Sequence, residues 1–173
     1  MYQNKLTLGN KFYRLAWTIV RVLVFQNIPG KLLNNMRVLI LKGFGAKIGK
    51  GSGIYPSCVI WSPKNLIMGE NSWLGPKTRI YNVGEIAIGN NVTVSQYSYM
   101  CAASHNYKSL NFELIYDKIY ISDNVWIATD AFIGMGVEIG KNTVVGARSA
   151  VFQSFGENCL IGGNPAKIIK SKR

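Results

Sequence analysis

Aliphatic residues recur at every sixth position through most of this chain, a spacing that neither an α-helix nor a single long strand can use. Ile48, Ile54 and Ile60 are six apart, as are Met68, Leu74 and Ile80, and then Ile88, Val94 and Met100. The step between these triplets is eight, so the unit repeats every 20 residues. Later the spacing is strict, through Ile121, Ile127, Ile133, Ile139, Val145 and Val151. Such a period suits a coil with three short sides of about six residues, each aliphatic pointing inward. Four residues after each aliphatic the side chain is mostly small, as a tight corner requires: Ser52, Cys58, Ser72, Thr78, Val92, Ser98, Val125, Ala131, Val137, Thr143 and Ser149. Glycines directly after the aliphatic, such as Gly49, Gly69, Gly75, Gly89, Gly134, Gly140 and Gly146, fit turns that need unusual backbone angles or close approach. Stacked coils bury one continuous column and pair their backbones with the coils above and below, so the expected fold is a parallel β-helix of about five to six coils.

A chain of 173 residues is long enough for one domain and too short for two of ordinary size. The division expected is a basic amphipathic helical segment at 1–43, followed by the β-helix at 44–173 with a loop at 101–118 and a C-terminal extension. Residues 1–69 hold ten Lys or Arg and no acid, whereas the remainder carries ten basic and all eight acidic residues. The net charge of +12 is therefore a property of the N-terminal third. Residues 10–42 read as two short helices, with Asn10 as N-cap and "NIPG" as the break. In the first, Phe12, Leu15, Ala16, Ile19, Leu23 and Gln26 share one face, and Arg14, Trp17, Arg21 and Phe25 the other. Phe12 to Phe25 is too short and too charged to span a bilayer. These helices either pack on the main domain or a sister subunit, or lie on an anionic lipid surface with Arg14, Arg21, Trp17 and Phe25 in contact; the two roles are compatible. Nucleic-acid binding is not expected, because the basic third carries apolar helices. Three cysteines and no cleavable signal pattern point to the cytoplasm, at the inner membrane face if the helices bind lipid.

From Met100 to Ile121 is 21 residues where the earlier step is eight, so about 13 residues leave the coil. A long loop that a regular solenoid does not need is more often functional than accidental. His105, the chain's one histidine, stands at its start. Neutral imidazole is suited to take a proton from a hydroxyl at pH 7. Its second nitrogen needs an acceptor, for which a backbone carbonyl, Glu85 and Asp123 are alternatives. Cys101 admits a rival route through an acyl-cysteine.

The repeats "IGKGSG", "MGENSW", "IGNNVT", "IGKNTV" and "VGARSA" resemble those of the hexapeptide-repeat acyltransferases. The segments "GFGAKIGK", "SYMCAASHNY", "VWIATDAFIGMGVEIG", "TVVGARSAVF" and "GGNPAKIIK" are most similar to the colanic-acid-type exopolysaccharide O-acetyltransferases. This resemblance implies a left-handed β-helix, a homotrimer, and acetyl transfer from acetyl-CoA to a hydroxyl of a glycan or polysaccharide precursor with no metal. It makes His105 the catalytic base, and Trp126 a wall of the acetyl tunnel facing His105 across a subunit boundary. It places coenzyme A near Ala128, Thr129, Gly146 and Ala147, with Lys167 and Lys170 meeting its phosphates. Related sugar acetyltransferases hold an asparagine in the preceding coil; here Arg79 aligns with it and Asn82 lies three residues on, so Asn82 is the candidate for the tunnel or acceptor site. The helical module with acidic and tyrosine-rich motifs found in maltose and galactoside acetyltransferases is absent, which lowers free maltose-like sugars as acceptor. Antibiotic acetylation and a noncatalytic scaffold are the competing functions. The zinc-dependent carbonic anhydrases of this fold need three histidines, which one chain with a single histidine cannot supply.

Overall fold

In the computed structural model, which describes residues 7–171, every inward aliphatic of the five triplets is buried, none more than 6% exposed. The chain winds into a parallel β-helix with three faces. The first face stacks Lys47–Ile48, Leu66–Met68, Ile86–Ile88, Ile119–Ile121 and Glu138–Ile139. The second stacks Gly53–Ile54, Trp73–Leu74, Thr93–Val94, Trp126–Ile127, Val144–Val145 and Cys159–Gly163, closed by the antiparallel strand Ala166–Ser171. The third stacks Val59–Ile60, Arg79–Tyr81, Tyr99–Cys101, Phe132–Ile133 and Ala150–Val151. Register sets Ile48, Met68, Ile88, Ile121 and Ile139 directly above one another. Each such aliphatic contributes about 1.5–3 kcal/mol on burial.

All the small corner residues are buried, and their hydroxyls tie coil to coil. Ser52 Oγ donates to the Gly69 carbonyl at 2.6 Å and accepts from Ser72 N at 2.9 Å. Ser72 Oγ repeats both bonds one coil on, to the Gly89 carbonyl and from Val92 N. The glycines after the aliphatics serve close approach and not unusual angles, since a Cβ on Gly49 would lie 2.5 Å from the Gly69 carbonyl carbon. After the first face the left-handed angle falls three residues past the inward aliphatic, at Gly51 with φ 74° and at Asn71, Asn91, Asn124 and Asn142 with φ of 53° to 59°. Asparagine tolerates that region better than other side chains bearing a Cβ. Three of these asparagines also form a ladder, Asn91 to Asn124 at 3.2 Å and Asn124 to Asn142 at 3.2 Å, which Asn142 extends to Asn158 at 3.0 Å.

The N-terminal helices α1 (Leu8–Leu23) and α2 (Asn34–Gly43) cap the open end of the solenoid. The N-cap of α1 is Thr7, whose hydroxyl accepts from Asn10 N at 3.3 Å, so Asn10 lies inside the first turn and not at the cap. Between the helices the chain makes a 3₁₀ turn at Phe25–Asn27. An uncovered coil would leave the backbone groups of its last strands without partners. From α2, Asn34 donates to the Ser52 carbonyl at 3.0 Å and accepts from Ile54 N at 3.1 Å, and Arg37 Nε donates to the Ile54 carbonyl at 2.9 Å. Arg37 is 1% exposed, and burial lowers its pKa below the ordinary arginine value. From α1, Trp17 Nε1 donates to the Ile60 carbonyl at 2.8 Å while its ring meets Phe25 and Phe44.

The cation-bearing face of α1 is therefore the inner one. Trp17 and Phe25 are buried and not available to a lipid surface, because they cover the third face's first strand. The apolar face points outward instead, with Phe12 70% and Leu23 68% exposed. No helix among the described residues is long and apolar enough to cross a membrane.

Candidate active site

Where the period breaks, the chain leaves the third face after Cys101 and rejoins the first at Ile119. The excursion is a β-hairpin, not an open loop: Ala103–His105 pairs antiparallel with Leu114–Tyr116, His105 opposite Leu114. Asn106 secures the turn, its Nδ2 donating to Glu113 Oε1 at 2.8 Å. A strand end held in register positions a side chain better than a free loop does.

His105 is exposed, and its Nδ1 lies 2.6 Å from the Phe112 carbonyl. A carbonyl only accepts, so Nδ1 must carry the hydrogen, and in the neutral ring Nε2 then holds the lone pair. That is the tautomer a base needs if it is to act through Nε2. Phe112 has φ +44°, a left-handed conformation unusual for a bulky residue. The partner is thus a backbone carbonyl. Asp123, one of the alternatives, is engaged elsewhere, its Oδ1 accepting from Asn90 N at 2.8 Å.

Trp126 lies in the second face between Thr93 and Val144, half exposed, its Nε1 fixed by Ser95 Oγ at 3.0 Å. The hairpin springs from the corner between third and first faces, opposite the face that bears Trp126. One chain does not bring His105 and Trp126 together.

Thr129 and Ala147 occupy successive coils at the corner after the second face, and Lys167 and Lys170 stand exposed on the strand that ends that same sheet. Ala128 N and Gly146 N donate within the ladder, to the Val145 and Ile161 carbonyls at 2.9 and 2.8 Å. These two N–H groups are therefore committed to the ladder. Thr129 Oγ1 donates to the Gln96 carbonyl at 3.0 Å, and Ala147 is exposed.

Asn82 does not face any site. Fully buried, it accepts from Ser62 N at 3.0 Å through Oδ1 and donates to the Ser62 carbonyl at 2.7 Å through Nδ2. Both ends of its amide lock one coil to the next. Cys101 is half-buried in the third face, its thiol donating to the Ala103 carbonyl at 3.2 Å. Burial, and then a hydrogen bond with Cys101, push the neighbouring Tyr99 up to about 12. Among the described residues no three His, Cys, Asp or Glu side chains form a group able to hold a metal.

Sequence reasoning missed a cleft of about 300 Å³ between α1 and the third face. Arg14, Trp61, Arg79, Tyr81 and Tyr99 line it. Trp61 and Tyr81, which directly follow the inward Ile60 and Ile80, were its one sequence signal, being aromatic where most such positions are small.

The chain matches no family model. It is 41% identical over 164 residues to an Escherichia coli protein provisionally named colanic acid biosynthesis acetyltransferase WcaF, covering 95% of this chain and 90% of that one. Among solved structures, a hexapeptide-repeat acetyltransferase from Vibrio cholerae complexed with acetyl coenzyme A superposes with a TM-score of 0.88 at 24% identity, covering 98% and 92% of the two chains. A maltose O-acetyltransferase from Clostridium difficile gives a TM-score of 0.88 at 25% identity, covering 96% and 90%. The chain belongs to the hexapeptide-repeat acetyltransferases, and its fold is their left-handed parallel β-helix.

Proposed function

We propose that this protein moves the acetyl group of acetyl-CoA to a hydroxyl of a saccharide used in polysaccharide assembly, with His105 as general base. The observation that carries the reading is the 2.6 Å bond between His105 Nδ1 and the Phe112 carbonyl. It fixes the tautomer with Nε2 basic, on a hairpin that projects from an otherwise regular coil. Nε2 takes the acceptor proton as the hydroxyl oxygen bonds to the thioester carbonyl carbon. Collapse of the tetrahedral intermediate breaks the carbon–sulfur bond, and the proton passes from His105 to the departing thiolate, giving the acetyl ester and coenzyme A.

His105 and Trp126 lie on opposite sides of one prism, so a site using both takes them from neighbouring copies, which supports a homotrimer. Lys167, Lys170, Thr129 and Ala147 lie on the Trp126 side and suit the donor, lysines meeting phosphates as point charges. The outward apolar face of α1, set in a region without acids, supports peripheral contact with an anionic membrane surface. Thiol release from acetyl-CoA, followed with a panel of saccharides and compared between wild type and His105→Ala, tests the assignment. Loss of about 10²- to 10⁴-fold is expected for removal of a general base. Retention of activity within a few-fold contradicts it, and an acetyl group trapped on Cys101 contradicts direct transfer.

A further inference from the structure

We propose that the cleft between α1 and the third face binds the negative charge of an anionic saccharide, a sugar phosphate or a uronate, as the acceptor's anchoring group. This rests on the acetyl-transfer reading and names the acceptor's chemical class.

Three guanidiniums converge there, Arg14 and Arg21 from α1 and Arg79 from the third face. No acidic residue lines the cleft. Among the described residues the sole ion pair is Arg148 with Asp130, so none of the three has a carboxylate partner. Like charges gathered in one cleft repel, and a bound anion relieves that repulsion. Burial already lowers Arg14 below the ordinary arginine pKa, which marks the cleft as partly shielded from water.

The rings hold the arginines in orientation. Arg14 Cζ stands 3.4 Å over the Trp61 ring and Arg79 Cζ 5.0 Å over the Tyr99 ring. Trp61 meets Tyr81 edge to face at 4.9 Å. A guanidinium stacked by its face keeps its N–H fork at the edge, the geometry that meets phosphate or carboxylate oxygens in pairs. Aromatic rings beside it offer apolar surface to the C–H face of a sugar. A neutral sugar makes no use of three cations.

The cleft also stands in the right place. Tyr99 lines it and begins the strand that runs toward His105, six residues on. Six residues of chain span about 20 Å at most, which sets the upper limit on the separation of Tyr99 and His105. Arg14 and Arg21 stand on the helix that caps the first coil, whereas the lysines suited to coenzyme A stand on the strand that ends the sheet at the other end of the solenoid, so the donor's phosphates do not account for these arginines.

Glucose, glucose 1-phosphate and glucuronate share one ring and differ in charge, and they separate the alternatives. Calorimetric titration into the His105→Ala protein reads binding without catalysis. Either or both charged probes should bind at least tenfold more tightly than glucose, and the stronger of the two identifies phosphate or carboxylate as the anchor. The Arg21→Gln, Arg79→Gln double variant should lose that preference while light scattering shows its assembly unchanged. In the active protein the same double variant should raise KM for the charged acceptor tenfold or more, with kcat within about threefold and KM for acetyl-CoA unchanged. Equal binding of all three probes, no binding of either charged probe, binding indifferent to the arginines, or dissociation of the double variant each overturns the proposal. Charged-probe binding that depends on the arginines, with no thiol release by wild type, instead overturns the acetyl-transfer reading and leaves the anion site standing.

Discussion

Ile127 and Ile19 are the same side chain in two settings: the first is fully buried within a coil, the second 50% exposed on α1. In the coils a residue's side is decided by its place in the six-residue period, because every coil repeats the same backbone and stacks on its neighbour. In α1 no such repetition exists. There the buried face is chosen by what the end of the solenoid needs, namely hydrogen-bond donors for its last carbonyls and flat rings to cover its column. Trp17 supplies both, and the aliphatics of α1 supply neither. Apolar content therefore predicts burial where a scaffold repeats and fails where one element caps another.

That contrast can be broken by paired substitutions. Ile127→Ala should lower stability by about 2–5 kcal/mol through lost burial and the cavity left behind, whereas Ile19→Ala should change it by about 0.5 kcal/mol or less. Chemical denaturation of the two variants side by side checks this, and equal losses would mean that α1 is covered by another copy.

The capping role is sharpened at Arg37. Arg37→Leu keeps apolar bulk but leaves the Ile54 and Ile28 carbonyls without their donor. A buried polar group left unsatisfied costs about 1–3 kcal/mol, so a loss near 2 kcal/mol is expected. A neutral outcome would show that the helices only cover the column and do not satisfy its edge.

Inside the coil, burial pushes the Cys58 thiol up to about 12 from 9.0. The unfolded chain releases this proton near pH 9 and the folded one does not, so unfolding gains protonic driving force as pH rises. Stability should be unaffected by Cys58 below pH 9 and should fall by about 1.4 kcal/mol per pH unit between 9 and 12. Thermal melts of wild type and Cys58→Ala across this range measure it. A wild-type slope as shallow as the variant's would contradict the burial of Cys58.

The smallest effect on stability belongs to the outer face of α1. Leu15→Gln with Ile19→Gln should shift stability by no more than about 0.5 kcal/mol yet weaken sedimentation with anionic vesicles several-fold, and salt should weaken it further. Arg14 is unsuitable for this test because it stacks on Trp61. Equal sedimentation of variant and wild type would remove the outer face as the lipid contact.

The coils were legible to the residue: inward positions and small corners alike followed from spacing. The reason given for the glycines was half right, since spacing reveals that a turn is tight without saying which residue carries the left-handed angle. The break in period located His105 but not its partner, because the Phe112 carbonyl is a backbone group with no signature in residue type. Asn82 was chosen because it lies three residues from the position that the resemblance aligns, and only the fold reveals that Ser62 uses both ends of its amide. The arginine cleft escaped for lack of sequence proximity, Arg14 and Arg79 being joined only when α1 folds onto the third face.

The account turns on His105 as a base held in one tautomer by a backbone carbonyl. Thiol release from acetyl-CoA by wild type and His105→Ala, each shown by light scattering and circular dichroism to have the same assembly and fold, measures this directly. A loss of about 10²- to 10⁴-fold with fold and assembly unchanged is the predicted result, and activity within a few-fold of wild type would contradict it.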